Sequence, residues 1–338
     1  MRRLVIILVI FIFFIFAIPI IFTKTNEVSG KAENLLENTN VENKIEEIIL
    51  KDYDYKQYDK IKLLHKDTNQ IEELPLDEYL LGVVSAEMPA TFEQEALNAQ
   101  AVVARTYTIY SIVHNQNKHG DADICDDSNC CQAWISKDDR MAKWEEDVRE
   151  NNWRKIKLAI NNTTGKIITY NGEVIDAFFH SNSGGVTEAP VNVWGGTNYP
   201  YLQSVETAGE DAYSQYSSEV TLSKEDLKNK ILKKHSDFTI NYDNSNCIQI
   251  LEYLDSGRVK TIKIGNLNLS GVEVRTLLGL RSANFEVNIE GDNIKFTVKG
   301  YGHGVGMSQT GADSMAKSGS NYEDIIKHFY TGVEIVDM

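Results

Sequence analysis

An uncharged apolar run from Leu4 to Phe22, preceded by Arg2 and Arg3, constrains this chain more than any other feature. A helix of roughly 20 apolar residues spans a bilayer, since it satisfies its own backbone hydrogen bonds where there is no water. Ile20, Ile21, Phe22, Thr23 and Lys24 follow Pro19 without the small-residue pattern of a cleaved leader. The run reads as an uncleaved transmembrane signal anchor over 1–22. Arg2 and Arg3, opposed by Lys24 and Lys31, slightly favour a cytoplasmic N-terminus. The short tail before the span strengthens this orientation and places the rest of the chain outside the cytoplasm.

Residues 23–57 are rich in Asn, Glu, Lys and Thr and too poor in apolar residues to specify a core, so they read as a flexible stalk. The remainder, 58–338, is the folded part. With 338 residues in all and 42% hydrophobic content, one large domain or two are feasible. A formal charge of −15 argues against a nucleic-acid partner, because a phosphate backbone would be repelled.

Periodicity predicts a mixed architecture. Lys60 to His65 and Ile71 to Leu74 flank Asp67-Thr68-Asn69 as a hairpin. A helix N-capped by Asp77 should run to Pro89, and a second should start at Thr91, whose spacing to Gln94 is that of a capping box. Asp138 to about Asn162 reads as one or two helices with Trp144 and Trp153 inward. Strands follow over Lys166 to Tyr170 and Val174 to Phe179 around an Asn171-Gly172 turn. Ser223 to Lys234 is helical in composition, and Ile248 to Leu254 pairs with Val259 to Ile264. Strands at Phe285 to Ile289 and Ile294 to Val298 precede a Gly-rich loop and a helix near Ser308 to Lys317. The fold class expected is α+β, with mixed helices and an antiparallel sheet or barrel-like core. A smaller inserted subdomain is expected over about 208–266, and one transmembrane helix before the whole.

Four segments carry chemistry. Glu87 follows Val83 and Val84 on one helix face, in the last turn before Pro89. Burial and the negative end of the helix dipole would both raise its pKa and hold it as an acid near neutral pH. The alternative is a solvated helix-end residue. His119, Cys125, Cys130 and Cys131 offer the nitrogen and sulfur donors that suit tetrahedral zinc. Their spacing fits no Cys-x2-Cys finger, so a disulfide or free thiols stand equally open. His119, Cys125 and Cys131 are the preferred metal ligands, with Cys130 and Cys247 weaker. His180-Ser181-Asn182-Ser183-Gly184-Gly185 follows a strand, where polar side chains can line a cleft or form a plain turn. Tyr301 to Ala312 is a Gly-rich turn opening a helix without the Lys-Ser/Thr of a phosphate loop. Its glycines must bring backbone close to something, with His303 and Gln309 placed to hydrogen-bond it.

Taken together, Gly82 to Pro89, Glu95 to Tyr107, Phe179 to Gly185 and Gly302 to Ala312 resemble the stage II sporulation protein D family of peptidoglycan lytic transglycosylases, whose domain is shared with amidase enhancers. The resemblance covers roughly 70–338, and His119 to Cys131 looks like the metal site of clostridial members. It implies that Glu87 is the catalytic acid and base cleaving the MurNAc–GlcNAc bond of denuded strands to 1,6-anhydro ends. By the same resemblance Arg105, His180, Ser181, Ser183, Tyr301, His303 and Gln309 would bind substrate, and Zn2+ would be structural. It also implies a setting, septal remodelling and forespore engulfment at the mother-cell membrane. The implied partners are the amidase stage II sporulation protein P and the membrane protein stage II sporulation protein M. A homodimer stays open. The rival readings are a non-catalytic glycan-binding enhancer of an amidase, and a zinc hydrolase with an open metal position.

Overall fold

The computed structural model describes residues 48–114, 118–196 and 199–338. The expected anchor and most of the stalk lie outside the described residues, among which no helix is long and apolar enough to cross a membrane.

The chain opens with the expected hairpin, β1 (Lys60–His65) against β2 (Gln70–Pro75), in the register Lys60↔Pro75 to His65↔Gln70. Pro75, the last residue of β2, is the extended N-cap of α1 (Leu76–Glu87) and offers it no side-chain cap. Asp77 is not the cap. Its carboxylate is buried in the first turn, where it accepts from the Tyr55 hydroxyl at 2.8 Å and from the Arg105 guanidinium at 3.3 Å. The next helix, α2 (Gln94–His114), starts three residues later than the capping box suggests. Asp313, far along the chain, takes the Glu93 N–H at 2.6 Å in place of the local Thr91 side chain. Ala96, Ala99, Ala101 and Ala104 of α2 are wholly buried, and this small-residue helix is the centre against which other helices pack.

β3 (Ile124–Cys125) lies parallel to β1 and ties the cysteine-rich loop to the hairpin. α3 (Lys137–Lys143), capped by Ser136, and α4 (Glu146–Asn162) follow, with Trp153 buried and Trp144 packed on the core. β4 (Lys166–Tyr170) turns through Asn171 and Gly172, both at positive φ, into β5 (Glu173–Val174). That strand is shorter than the apolar run predicts. β6 (Phe179–His180) pairs elsewhere, and α5 (Pro190–Trp194) comes after it.

From β7 (Ser217–Ser223) onward a second apolar cluster forms. It includes Leu227 and Ile231 of α6 (Lys224–Leu232), Val259, Ile262 and Ile264 of the sheet β8 (Ile248–Tyr253), β9 (Val259–Ile264) and β10 (Leu267–Ser270), and Val274 and Leu278 of α7 (Gly271–Leu278). Phe285, Phe296 and Val298 of β11 (Asn284–Glu290) and β12 (Asn293–Lys299) belong to it too, since β12 pairs with β7 as well as β11. This cluster therefore reaches past residue 266. The chain returns to the first core through β13 (Met307–Ser308), α8 (Gln309–Lys317), α9 (Tyr322–Phe329) and β14 (Glu334–Asp337), which pairs with β4. The expectation of mixed helices and antiparallel sheets holds, but the barrel-like core does not. The described strands form separate sheets of two or three strands, and none closes. A barrel needs an unbroken ladder of tilted strands, whereas here helices intervene between short sheets.

Candidate active site

Glu87 ends α1, where the chain turns extended at Met88 before Pro89. Its carboxylate accepts the Ala133 N–H at 2.6 Å and a hydrogen bond from the Gln309 side chain. Burial outweighs both bonds and pushes its pKa up to about 7. It is therefore a group that can hold and release a proton near neutrality. Glu87, Ser181 and Gln309 are shared by two cavities. One, of about 470 Å3, runs past Tyr107, Phe178, His180, Trp194, Arg275, Tyr301 and His303. The other, of about 380 Å3, runs past Phe92, Arg140, Trp144, Asn152 and Gln215. Glu87 thus stands at the junction of a two-lobed cleft, and among the described residues no other carboxylate lines either lobe.

Two loops build the opposite wall. β6 and β13 are parallel, with Phe179 beside Met307 and His180 beside Ser308. Glycine makes this approach feasible: at Gly306, φ +70, a Cβ would collide with the Phe178 carbonyl. The Gly-rich turn is shaped to meet protein backbone. Glu210 fastens the two loops. Its buried carboxylate accepts from the N–H groups of Ser183 and Gly185, each at 3.0 Å, and from Thr207 Oγ1 at 2.7 Å and Thr310 Oγ1 at 3.0 Å, with Ser183 Oγ and Ser308 Oγ also bound. These donors hold its pKa below the usual range despite burial. His180 Nδ1 donates to the Val305 carbonyl at 3.1 Å, and burial takes its pKa down to about 3. His303 Nδ1 accepts the Val305 N–H at 3.1 Å and is likewise held neutral.

The structure brings Glu87, His180, Ser181, Tyr301, His303 and Gln309 to one cleft. Arg105 is elsewhere. It is wholly buried, donating to the carbonyls of Thr163 at 2.8 Å and Lys166 at 3.2 Å and facing Asp77, so it braces the core and has no surface for a sugar. Ser183 is buried too, with its hydroxyl committed to Thr207 and Glu210. Glu95 accepts the Tyr322 N–H and the Asn98 amide, Asp176 is buried, and neither lines the two lobes. Sequence reading missed Ala133, whose backbone N–H has no side-chain signature, and Glu210, an isolated acid in a polar stretch. It also missed Arg275, which belongs to a helix of the second cluster.

His119, Cys125, Cys130 and Cys131 gather so that one donor atom from each lies within 4.8 Å of the others, with His119 Nε2 at 3.2 Å from Cys131 Sγ. Cys130 joins the three preferred ligands, and Cys247 is remote, tied by its carbonyl to Gly265. One imidazole and three thiols match a four-coordinate zinc set. The cluster borders the cleft through Cys130 and Cys131, and Ala133 follows directly along the chain. Between them Gln132 is pinned to the Tyr79 hydroxyl at 3.0 Å and Thr108 Oγ1 at 2.8 Å.

A family model described as stage II sporulation protein matches residues 64–170, which carry Glu87, Arg105 and the cysteine cluster. Stage II sporulation protein D of Bacillus subtilis (strain 168) is 37% identical over 275 residues, 80% of this chain and 78% of the relative. Stage II sporulation protein D of Bacillus amyloliquefaciens is 36% identical over 277 residues, 81% of this chain and 78% of the relative. The amidase enhancer of Bacillus subtilis (strain 168) is 30% identical over 310 residues, 76% of this chain but 40% of that longer protein. Because the two sporulation proteins are 36–37% identical to this chain over about four fifths of its length and over 78% of their own, the chain belongs to the stage II sporulation protein D family.

Proposed function

We propose that this sporulation protein is a peptidoglycan lytic transglycosylase that cuts the MurNAc–GlcNAc bond of denuded strands. The observation that carries this reading is a lone carboxyl, Glu87, with its pKa raised to about 7, in a cleft lined by no second carboxylate among the described residues. Hydrolysis of a glycoside normally employs two carboxyls, one for the leaving group and one for water or the anomeric carbon. One suffices if the substrate supplies the nucleophile. Protonated Glu87 gives its proton to the glycosidic oxygen as the C1–O bond breaks. The resulting carboxylate takes the proton of the muramyl 6-hydroxyl as that oxygen closes on C1. The products are a 1,6-anhydro end and a free GlcNAc hydroxyl, with no water consumed. The Ala133 N–H and Gln309 stabilise the intermediate carboxylate, while Ser181 and the neutral His180 and His303 orient sugar hydroxyls.

The donor set of His119, Cys125, Cys130 and Cys131 would hold a structural Zn2+. Four protein donors leave no position for water, which favours a structural ion over an activating one. When bound, the ion would cross-link the loop that presents the Ala133 N–H. The segment 1–22 would anchor the enzyme with its catalytic domain outside the membrane. There it would act in septal remodelling during engulfment, after an amidase such as stage II sporulation protein P has stripped the peptides and with stage II sporulation protein M as a tether. Similarity to the amidase enhancer supports a second reading, glycan binding without cleavage. Mass analysis of denuded strands treated with the detergent-solubilised full chain separates the two. New ends lighter by one water than hydrolysis products, lost in Glu87→Gln, are expected, and uncut strands would support the enhancer reading.

A further inference from the structure

The glycan proposed as substrate is neutral except where its stem peptides have been removed. Each removal turns the amide on a muramyl lactyl group into a free carboxylate, so a denuded strand is a polyanion. A chain of formal charge −15 repels such a strand unless its cleft carries a local positive charge. Among the described residues that line the larger lobe, Arg275 is the only Lys or Arg, the others being Glu87 and neutral side chains.

Arg275 lies in the last full turn of α7, fixed there because its carbonyl takes the N–H groups of both Gly279 and Leu280 at 2.9 Å. The side chain is half-buried. Among the described residues its guanidinium meets no hydrogen-bond acceptor and no carboxylate at ion-pair distance. The nearby acids are already engaged. Glu188 accepts from the Ala189 N–H and Asn192, each at 2.8 Å, and from Ser256, while Glu273 holds Lys234 at 2.7 Å and His235 at 3.0 Å. Half-buried and unpaired, with its nitrogens still open to the cleft, the guanidinium suits a partner that arrives with the ligand. Beside it Trp194, 50% exposed, offers an aromatic face on which a sugar ring can lie, and Tyr301, 44% exposed, carries the Arg281 guanidinium 5.1 Å from its ring centre.

From this geometry we infer that Arg275 is a specificity-determining residue, pairing its guanidinium with the free lactyl carboxylate of a muramyl residue bound in the larger lobe. The inference rests on the glycan reading of the cleft but not on cleavage. It places this protein after a reaction that hydrolyses the lactyl amide. An intact amide has no charge for Arg275 to pair with, and it leaves the guanidinium desolvated against a neutral group.

The test reads binding, so that it stands apart from catalysis. In the detergent-solubilised full chain carrying Glu87→Gln, calorimetry would compare muramyl oligosaccharides bearing free lactyl acids with the same oligosaccharides capped as methyl amides. Charge-assisted bonding of this kind predicts a preference of about ten-fold or more for the free acid. Adding Arg275→Gln should bring that ratio close to one, and Arg275→Lys should keep part of it, since Lys retains the charge but not the paired donors. Raising the salt concentration should shrink the ratio in the parent and leave it flat in Arg275→Gln. A parent ratio near one, or a ratio that survives Arg275→Gln, would overturn the inference. Should Arg275→Gln fail to fold, the Lys variant and the salt series decide the matter. Tight binding of the free acid with uncut strands from the wild type would sink the transglycosylase reading and leave this one standing.

Discussion

The carboxyl of Glu87 combines two opposed influences: burial, which favours the neutral acid, and the Ala133 N–H and Gln309, which favour the anion. Burial wins, and two consequences follow. As pH rises through about 7 the acid form is lost, so kcat/KM for strand cleavage should decline on that limb. Stability should decline as well. The folded chain keeps a proton on Glu87 between its ordinary value of 4.5 and about 7, where the unfolded chain has released it, so stability present below that window is lost as pH climbs across it. Glu87→Gln removes the penalty, and urea melts should find the variant stabilised over wild type by on the order of 2 kcal/mol at pH 8, with little difference at pH 4. A gap that does not change with pH would refute the raised pKa. Arg105 makes the opposite kind of prediction. Its guanidinium braces three buried acceptors, so Arg105→Ala should cost roughly 3–5 kcal/mol of stability, well above the loss from an exposed cleft residue. Position on α1 left Glu87 open between a buried acid and a solvated helix end until the family resemblance decided for the acid, and the same resemblance made Arg105 of α2 a cleft residue. Helical periodicity assigns a face without saying whether core or cleft lies opposite.

Loops fastened to strands hold the cleft in shape. The cysteine loop is pinned by β3 and, we propose, by zinc. Cys130→Ser should then lower both the zinc content and the melting temperature, and a chelator should lower the melting temperature of the wild type alone. Full zinc content in Cys130→Ser would point to a three-ligand site. Glu210 does similar work with hydrogen bonds, clamping the loops that carry Ser181 and Gln309. Glu210→Gln replaces an acceptor by an amide facing donors and should cost on the order of 3 kcal/mol, read from thermal melts. Hairpins at β1–β2, β4–β5, β8–β9 and β11–β12 could be read from alternation and turn residues, as could α6 from its helical composition and α8 from the Gly-rich loop that opens it. The β6–β13 pairing could not, because each strand is two residues long and they meet across a large sequence separation. The barrel expectation failed for the same reason: strand propensity is local, and which strands share a sheet is not.

Two apolar clusters and one cleft define the folded part. The first cluster holds the helices around α2, and the second supplies α7 and with it Arg275 to the cleft wall. Arg275 was illegible in the sequence because it belongs to none of the motifs that name the cleft. The strong negative charge of the chain, read at the outset as excluding nucleic acid, also bears on the proposed substrate, since it leaves recognition of an anionic strand to a few local cations. The lone carboxyl yields the sharpest consequence of all. In the proposed mechanism Glu87, with no second acid lining the cleft among the described residues, draws its nucleophile from the sugar itself. Denuded strands should therefore be incubated with the full chain in water enriched in 18O and the new ends analysed by mass. Intramolecular attack by the 6-hydroxyl predicts ends free of label. One 18O at each new reducing end would show that water is the nucleophile and contradict the mechanism.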